Sequence, residues 1–116
     1  MSNEFAGKTA IISGAAGGIG FALAEALAKQ GMNIVMGDID NMALTESGGA
    51  LREQGFDVLT CALDVTDYSQ WEDIVASAKE KFGKVHMVVN NAGVGGSPGK
   101  VEDAEHETIR PRKVSF

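Results

Sequence analysis

An α/β fold, with one parallel sheet and helices on both of its faces, is predicted by three features of this 116-residue sequence. Four short apolar runs, at 8–13, 33–38, 58–64 and 85–90, are each too continuous for a sheet with one wet face. Segments of helical periodicity separate them, and strands that alternate with helices pair in parallel. The first run leads into a glycine-rich turn that opens a helix. Right-handed crossovers then give the strand order 3-2-1-4, with no strand predicted after the fourth.

Each element has its own justification. The first strand, 8–13, precedes Gly14-Ala15-Ala16-Gly17-Gly18-Ile19-Gly20, and a helix is expected over 21–29. Ile19, Ala22, Leu23, Ala26 and Leu27 fall on one face of it, and Gly31 stands where a helix-ending glycine belongs. After the second strand, a helix over 42–54 is the weakest of the three. Gly48-Gly49 in its middle costs about 1 kcal/mol per glycine relative to alanine, so a short or bent helix is expected. Cys61, within the third run, reads as a small buried strand residue, the alternative being a reactive thiol. Thr66 or Asp67 can cap the third helix, and Asp67 with Gln70 has the spacing of a capping box. Trp71, Ile74, Val75, Ala78 and Phe82 then share one face, and Gly83 ends it. Beyond the fourth strand the texture changes: 94–99 is loop, 101–109 a weak helix stopped by Pro111, and the remainder a solvated, disordered tail.

The glycine turn carries the first chemistry. Gly14 lets the chain leave the strand sharply, Gly18 lets backbone approach a ligand with no Cβ between, and Gly20 lets the helix pack closely. The free N–H groups and dipole of the helix attract an anion, so the loop is read as a diphosphate site in a Rossmann-type half-domain spanning 1–116. A mere tight turn is the competing reading. Asp38 ends the second strand 18 residues after Gly20, where an acid would accept the adenosine ribose hydroxyls. Otherwise it is a helix-opening aspartate. A 2′-phosphate beside it would meet a like charge costing on the order of 4 kcal/mol at about 4 Å. Asp40 adds a second negative charge, and no Lys or Arg lies in the loop or directly after Asp38, so NAD is favoured over NADP.

Composition narrows the remaining classes. A balance of 44% hydrophobic and 22% charged residues is ordinary for one globular domain. The formal charge of −6 argues against nucleic acid or an anionic membrane as partner. A single cysteine precludes an intrachain disulfide; with neither a signal peptide nor a spanning apolar run, a cytoplasmic location is expected.

Taken together, Ser13 to Gly20, Asp64-Val65 and Asn90-Asn91-Ala92-Gly93 closely resemble the short-chain dehydrogenase/reductase family, from about Phe5 to Gly93. The resemblance implies that Gly14, Gly18, Ile19 and Gly20 line the diphosphate and that Asp38 takes the ribose. Asp64 would accept from the adenine amino group with Val65 against the ring, and Asn90, Asn91, Ala92 and Gly93 would close the strand end beside NAD. Helix capping by Asp64 and a turn at Asn90-Asn91 are the plainer explanations. The implied reaction is reversible hydride transfer between NAD and a secondary alcohol or its ketone.

Departures from the family pattern are equally definite. The family's Tyr with a Lys four residues on, and its upstream Ser, have no counterpart here: the only tyrosine is Tyr68, followed at that spacing by Glu72. Tyr68 is therefore read as structural or exposed, and no catalytic residue is assigned. His86 and His106 are 20 residues apart and fit no short metal motif. From about Ile109 onward the chain reads as the product of truncation, a change of reading frame or an artificial boundary. Such a chain is expected to be inactive alone, and to self-associate through the open edge of its fourth strand. Two other readings compete: a non-catalytic nucleotide-binding or dimerisation module, and an S-adenosylmethionine-binding methyltransferase, which leaves Asn90 to Gly93 unexplained.

Overall fold

The computed structural model describes residues 4–91. The expectations for Ala92, Gly93, His106 and the whole of 94–116 lie outside the described residues. Within them the chain runs β1 (Thr9–Ser13), α1 (Gly18–Lys29), β2 (Asn33–Asp38), α2 (Asn41–Glu53), β3 (Val58–Ala62), α3 (Tyr68–Phe82) and β4 (Met87–Asn90). All pairings are parallel and the order is β3-β2-β1-β4, as the crossover rule requires.

β1 and β2 are buried because alternate residues enter different cores. Ala10, Ile12, Ile34 and Met36 pack beneath α1 and α2, with Ala24, Ala28, Leu44 and Leu51. Ile11 and Val35 face the other way, toward Ile74 and Ala78 of α3. A continuous apolar run is thus what a strand covered on both faces demands.

Several details differ from the sequence expectation. The packed face of α1 is Gly20, Ala24 and Ala28, flanked by Leu23 and Leu27, whereas Ile19 is 76% exposed and Ala22 and Ala26 face solvent. Small residues at a four-residue spacing win the contact because they let the helix approach the sheet most closely. α1 also begins at Gly18, inside the glycine stretch. α2 is not short despite its paired glycines, running over 13 residues: Gly48 is buried against Thr60 of β3, where a Cβ would overlap the threonine Cγ2, and close packing offsets the lost propensity. Cys61 is half-buried.

α3 is capped by Asp67, which accepts from the Ser69 N–H at 3.0 Å. The reciprocal half of a capping box does not form. Gln70 instead uses its Oε1 to accept from the Asp64 N–H at 2.8 Å, tying the helix start to the end of the preceding strand segment. Tyr68 is the first residue of α3 and 74% exposed.

Candidate functional site

The carboxyl ends of β1, β2 and β3 converge with the amino end of α1, the place where an open parallel sheet offers a crevice. What the glycine loop does there follows from its hydrogen bonds. The Gly14 carbonyl accepts from Asn91 Nδ2 at 3.3 Å, the Ala16 carbonyl accepts from Ser47 Oγ, and the Gly17 carbonyl accepts from the Phe21 N–H at 3.3 Å. The Ala15 N–H donates to the Gly37 carbonyl at 3.1 Å and the Ala16 N–H to Asp38 Oδ2 at 3.0 Å. By contrast, the N–H groups of Gly17, Gly18, Ile19 and Gly20 donate to no protein group among the described residues. Three carbonyls thus accept from protein groups while four consecutive N–H groups lack a protein partner among the described residues, those of Gly17, Gly18 and Ile19 belonging to exposed residues and that of Gly20 to a buried one.

The backbone explains the glycines. Gly14 and Gly18 sit at φ of 62° and 58°, where a side chain is strained, and a Cβ at Gly18 would meet open space. Gly20 answers a different constraint: a Cβ there would overlap the Gly14 carbonyl oxygen and come within 2.7 Å of Asn91 Nδ2. The close partner of Gly20 is therefore the loop itself and Asn91. No side chain caps α1 and no acid lies in its first turn, so its positive end is uncompensated.

Asp38 lies at the end of β2, with Oδ2 on the Ala16 N–H and Oδ1 accepting from the Asp40 N–H at 3.0 Å. Each oxygen has spent one lone pair, and a carboxylate of this kind keeps capacity for two further donors. It is not the helix cap, since Asp40 caps α2 by accepting from the Ala43 N–H at 3.1 Å. Asp64 accepts from the Thr66 hydroxyl and N–H at 2.7 and 3.0 Å, both at Oδ1, which leaves Oδ2 open. Those two bonds hold its carboxyl below the ordinary carboxylate range. Gly14, Asp38, Ile39, Leu63, Asp64 and Val65 line one shallow pocket, so the residues inferred from separate motifs are brought together.

Asn90 Oδ1 accepts from Ser13 Oγ at 2.8 Å, joining β4 to β1, and Asn91 braces the loop as described. Ala92 and Gly93 lie outside the described residues. Sequence reasoning missed Ser47, Ala16 and Ile39. Ser47 and Ile39 carry no motif, and Ala16 acts through its backbone groups, which residue identity does not reveal. Among the described residues no group of three or more His, Cys, Asp or Glu could hold a metal ion, and no helix is long and apolar enough to cross a membrane. His86 instead serves the sheet, its Nδ1 accepting from the Thr9 N–H at 3.1 Å.

A parallel sheet in this order, with a glycine loop at the amino end of α1 and acids at the ends of β2 and β3, defines a Rossmann-type dinucleotide-binding class of protein. Comparison with known proteins makes it particular. The family model for short chain dehydrogenases matches residues 8–112, and the chain belongs to that family. That match extends past Gly93, where the recognisable motifs end.

A diacetyl reductase forming (S)-acetoin, from Staphylococcus epidermidis, is 41% identical over 100 residues, covering 86% of this chain and 39% of the relative. A trans-4-hydroxycyclohexanecarboxylate dehydrogenase of Sinomonas cyclohexanicum is 43% identical over 120 residues, covering 95% of this chain and 44% of the relative. Among solved structures, a Burkholderia phymatum short chain dehydrogenase/reductase in complex with NAD superposes with a TM-score of 0.72 at 40% identity, covering 76% of this chain and 31% of that one. L-sorbose reductase of Gluconobacter frateurii, complexed with NADPH and L-sorbose, gives 0.75 at 34%, covering 86% and 41%. The chain therefore spans about two fifths of the length of these curated relatives, 39% and 44%. The family uses a nicotinamide cofactor, and its neighbours include both an NAD and an NADPH complex.

Proposed function

We propose that this chain is the NAD(H)-binding portion of an oxidoreductase whose whole reaction is hydride transfer between NAD and a secondary alcohol or ketone. The observation that carries the reading is the loop in which Gly17 to Gly20 keep four open N–H donors while the neighbouring carbonyls accept from protein groups. Two linked phosphates match such a cradle: they need donors and the positive end of a helix, and no basic side chain. Asp38 receives the two ribose hydroxyls on its remaining lone pairs, and the open Oδ2 of Asp64 accepts from the adenine amino group beside Val65. When bound, the nicotinamide supplies the hydride acceptor or donor. This chain's residues hold the adenosine and diphosphate and so fix where the ring can reach.

Proton transfer to or from the alcohol is not assigned to any residue here. Tyr68 is exposed and followed at that spacing by Glu72 rather than a lysine, so it does not reproduce the family's Tyr and Lys pair. The isolated chain is proposed to bind NADH without turnover. Preference for NAD over NADP rests on Asp38 and on the lack of a Lys or Arg in the glycine loop or directly after Asp38 in the sequence.

NADH titration followed by fluorescence tests this, with Asp38→Ala and NADPH in parallel. Removing the acid is expected to weaken NADH roughly tenfold, as loss of charge-assisted hydrogen bonds does, and to improve the NADPH-to-NADH affinity ratio. Unchanged affinities for both would remove Asp38 from the site. Sustained NAD reduction by the pure chain with a panel of secondary alcohols would overturn the proposed lack of turnover.

A further inference from the structure

Ala16 is held at both ends of its backbone by elements outside the loop. Its N–H donates to Asp38 Oδ2 at 3.0 Å, and its carbonyl accepts from Ser47 Oγ, seven residues into α2. The second bond has a directional consequence. In a trans peptide the C=O and the following N–H point in opposite directions, so drawing the Ala16 carbonyl toward α2 turns the Gly17 N–H away from it. That N–H is the first of the four open donors. The Ala16–Gly17 peptide is also one where rotation is cheap, since Gly17 has no side chain to oppose it and a Cβ there would meet nothing. Rotated by half a turn, the same peptide would present a carbonyl oxygen, the wrong end of the dipole for a phosphate.

We propose that Ser47 is a positioning residue of the dinucleotide site, holding the Ala16–Gly17 peptide so that the Gly17 N–H faces the diphosphate. The inference rests on the reading of the loop as a diphosphate cradle. Gly48, the next residue, explains how the serine gets there. Its contact with Thr60 brings α2 down onto β3 closely enough for the Ser47 hydroxyl to reach the loop. Among the described residues the Ser47 hydroxyl makes one hydrogen bond, to Ala16, so neither the sheet nor the helix otherwise calls for it.

The full 116-residue chain, labelled with ¹⁵N, is to be titrated with ADP-ribose and with adenosine by NMR, as wild type, Ser47→Ala and Ser47→Thr. In the wild type the Gly17 amide proton is expected to move strongly downfield with ADP-ribose and little with adenosine. Ser47→Ala should weaken ADP-ribose about fivefold, the worth of one hydrogen bond, shrink the Gly17 shift and leave adenosine affinity unchanged. Ser47→Thr should restore both. Equal weakening of the two ligands, or wild-type ADP-ribose affinity in Ser47→Ala, would overturn the proposal while leaving the site reading intact. A wild type that binds neither ligand would sink the site reading itself, and this inference with it.

Discussion

At the scale of single residues, two hydrogen-bonding devices and one steric one decide the site. Gly20 is fixed by the volume left between α1 and its own loop. Gly20→Ala is expected to cost about 1–3 kcal/mol in urea denaturation, because the Gly14 carbonyl cannot yield without releasing Asn91. A variant as stable as wild type would mean that the loop relaxes freely. Asp64 and Asp67 are held below the ordinary value of 3.8, Asp64 by the Thr66 hydroxyl and N–H, and Asp67 first by the Ser69 hydroxyl. A lowered folded-state pKa means that the anion is favoured on folding. That contribution is complete above about 3.8 and disappears as pH falls through the lowered values, so titration of neither acid should make NADH affinity vary between pH 5 and 8. Thr66→Val should raise the Asp64 pKa in an NMR titration, and an unmoved value would refute the assigned cause. Cys61 is pushed up by burial, against a smaller opposing effect of Ser77, so its thiol should react with disulfide reagents at pH 7.5 more slowly than a free cysteine does. Asp38 and Asp64, which line one pocket, could be picked out from their type and spacing. Ser47 and the Ala16 backbone could not, because a contact between α2 and the loop leaves no periodic trace in the chain.

Elements were read well wherever two faces of one pattern agreed. β1 and β2 alternate between two cores, so Ala10 to Ile12 and Ile34 to Gly37 are all apolar or small, and α3 keeps Trp71, Ile74, Val75, Ala78 and Phe82 on the face where the sequence puts them. α1 misleads because it is apolar nearly all round, and periodicity alone could not choose between the stripe of Ile19 and Ala22 and that of Gly20, Ala24 and Ala28. The glycine pair of α2 looked like one defect and proves to be two different residues. Gly48 is required by Thr60, but a Cβ at Gly49 would meet nothing within 4 Å. Gly49→Ala is therefore expected to stabilise the chain by up to about 1 kcal/mol, and Gly48→Ala to destabilise it, in the same denaturation series. Equal effects at both positions would show that α2 does not pack on β3 at this glycine.

At the scale of the sheet, the strand order places the crevice and, among the described residues, leaves β4 paired on one side only. β4 pairs with β1 through Ala10–Met87, Ile11–Val88, Ile12–Val89 and Ser13–Asn90, and among the described residues no strand lies on its outer side. Met87 and Val89 pack toward one core and Val88 toward the other, so neither face can carry a charge that would blunt the edge. We propose a second copy as the partner for this edge, since two identical strands can extend both sheets at once. The net charge of −6 works against that meeting, and its repulsion is screened once the Debye length falls from about 20–30 Å in dilute buffer to about 8 Å at physiological salt. Association should therefore increase with both protein concentration and salt, the reverse of what an ion-paired interface would do. Light scattering on the size-exclusion peak provides the measurement. A single monomer mass at every concentration, unchanged on raising salt, would mean that the edge is covered within the same chain or too short to recruit a partner.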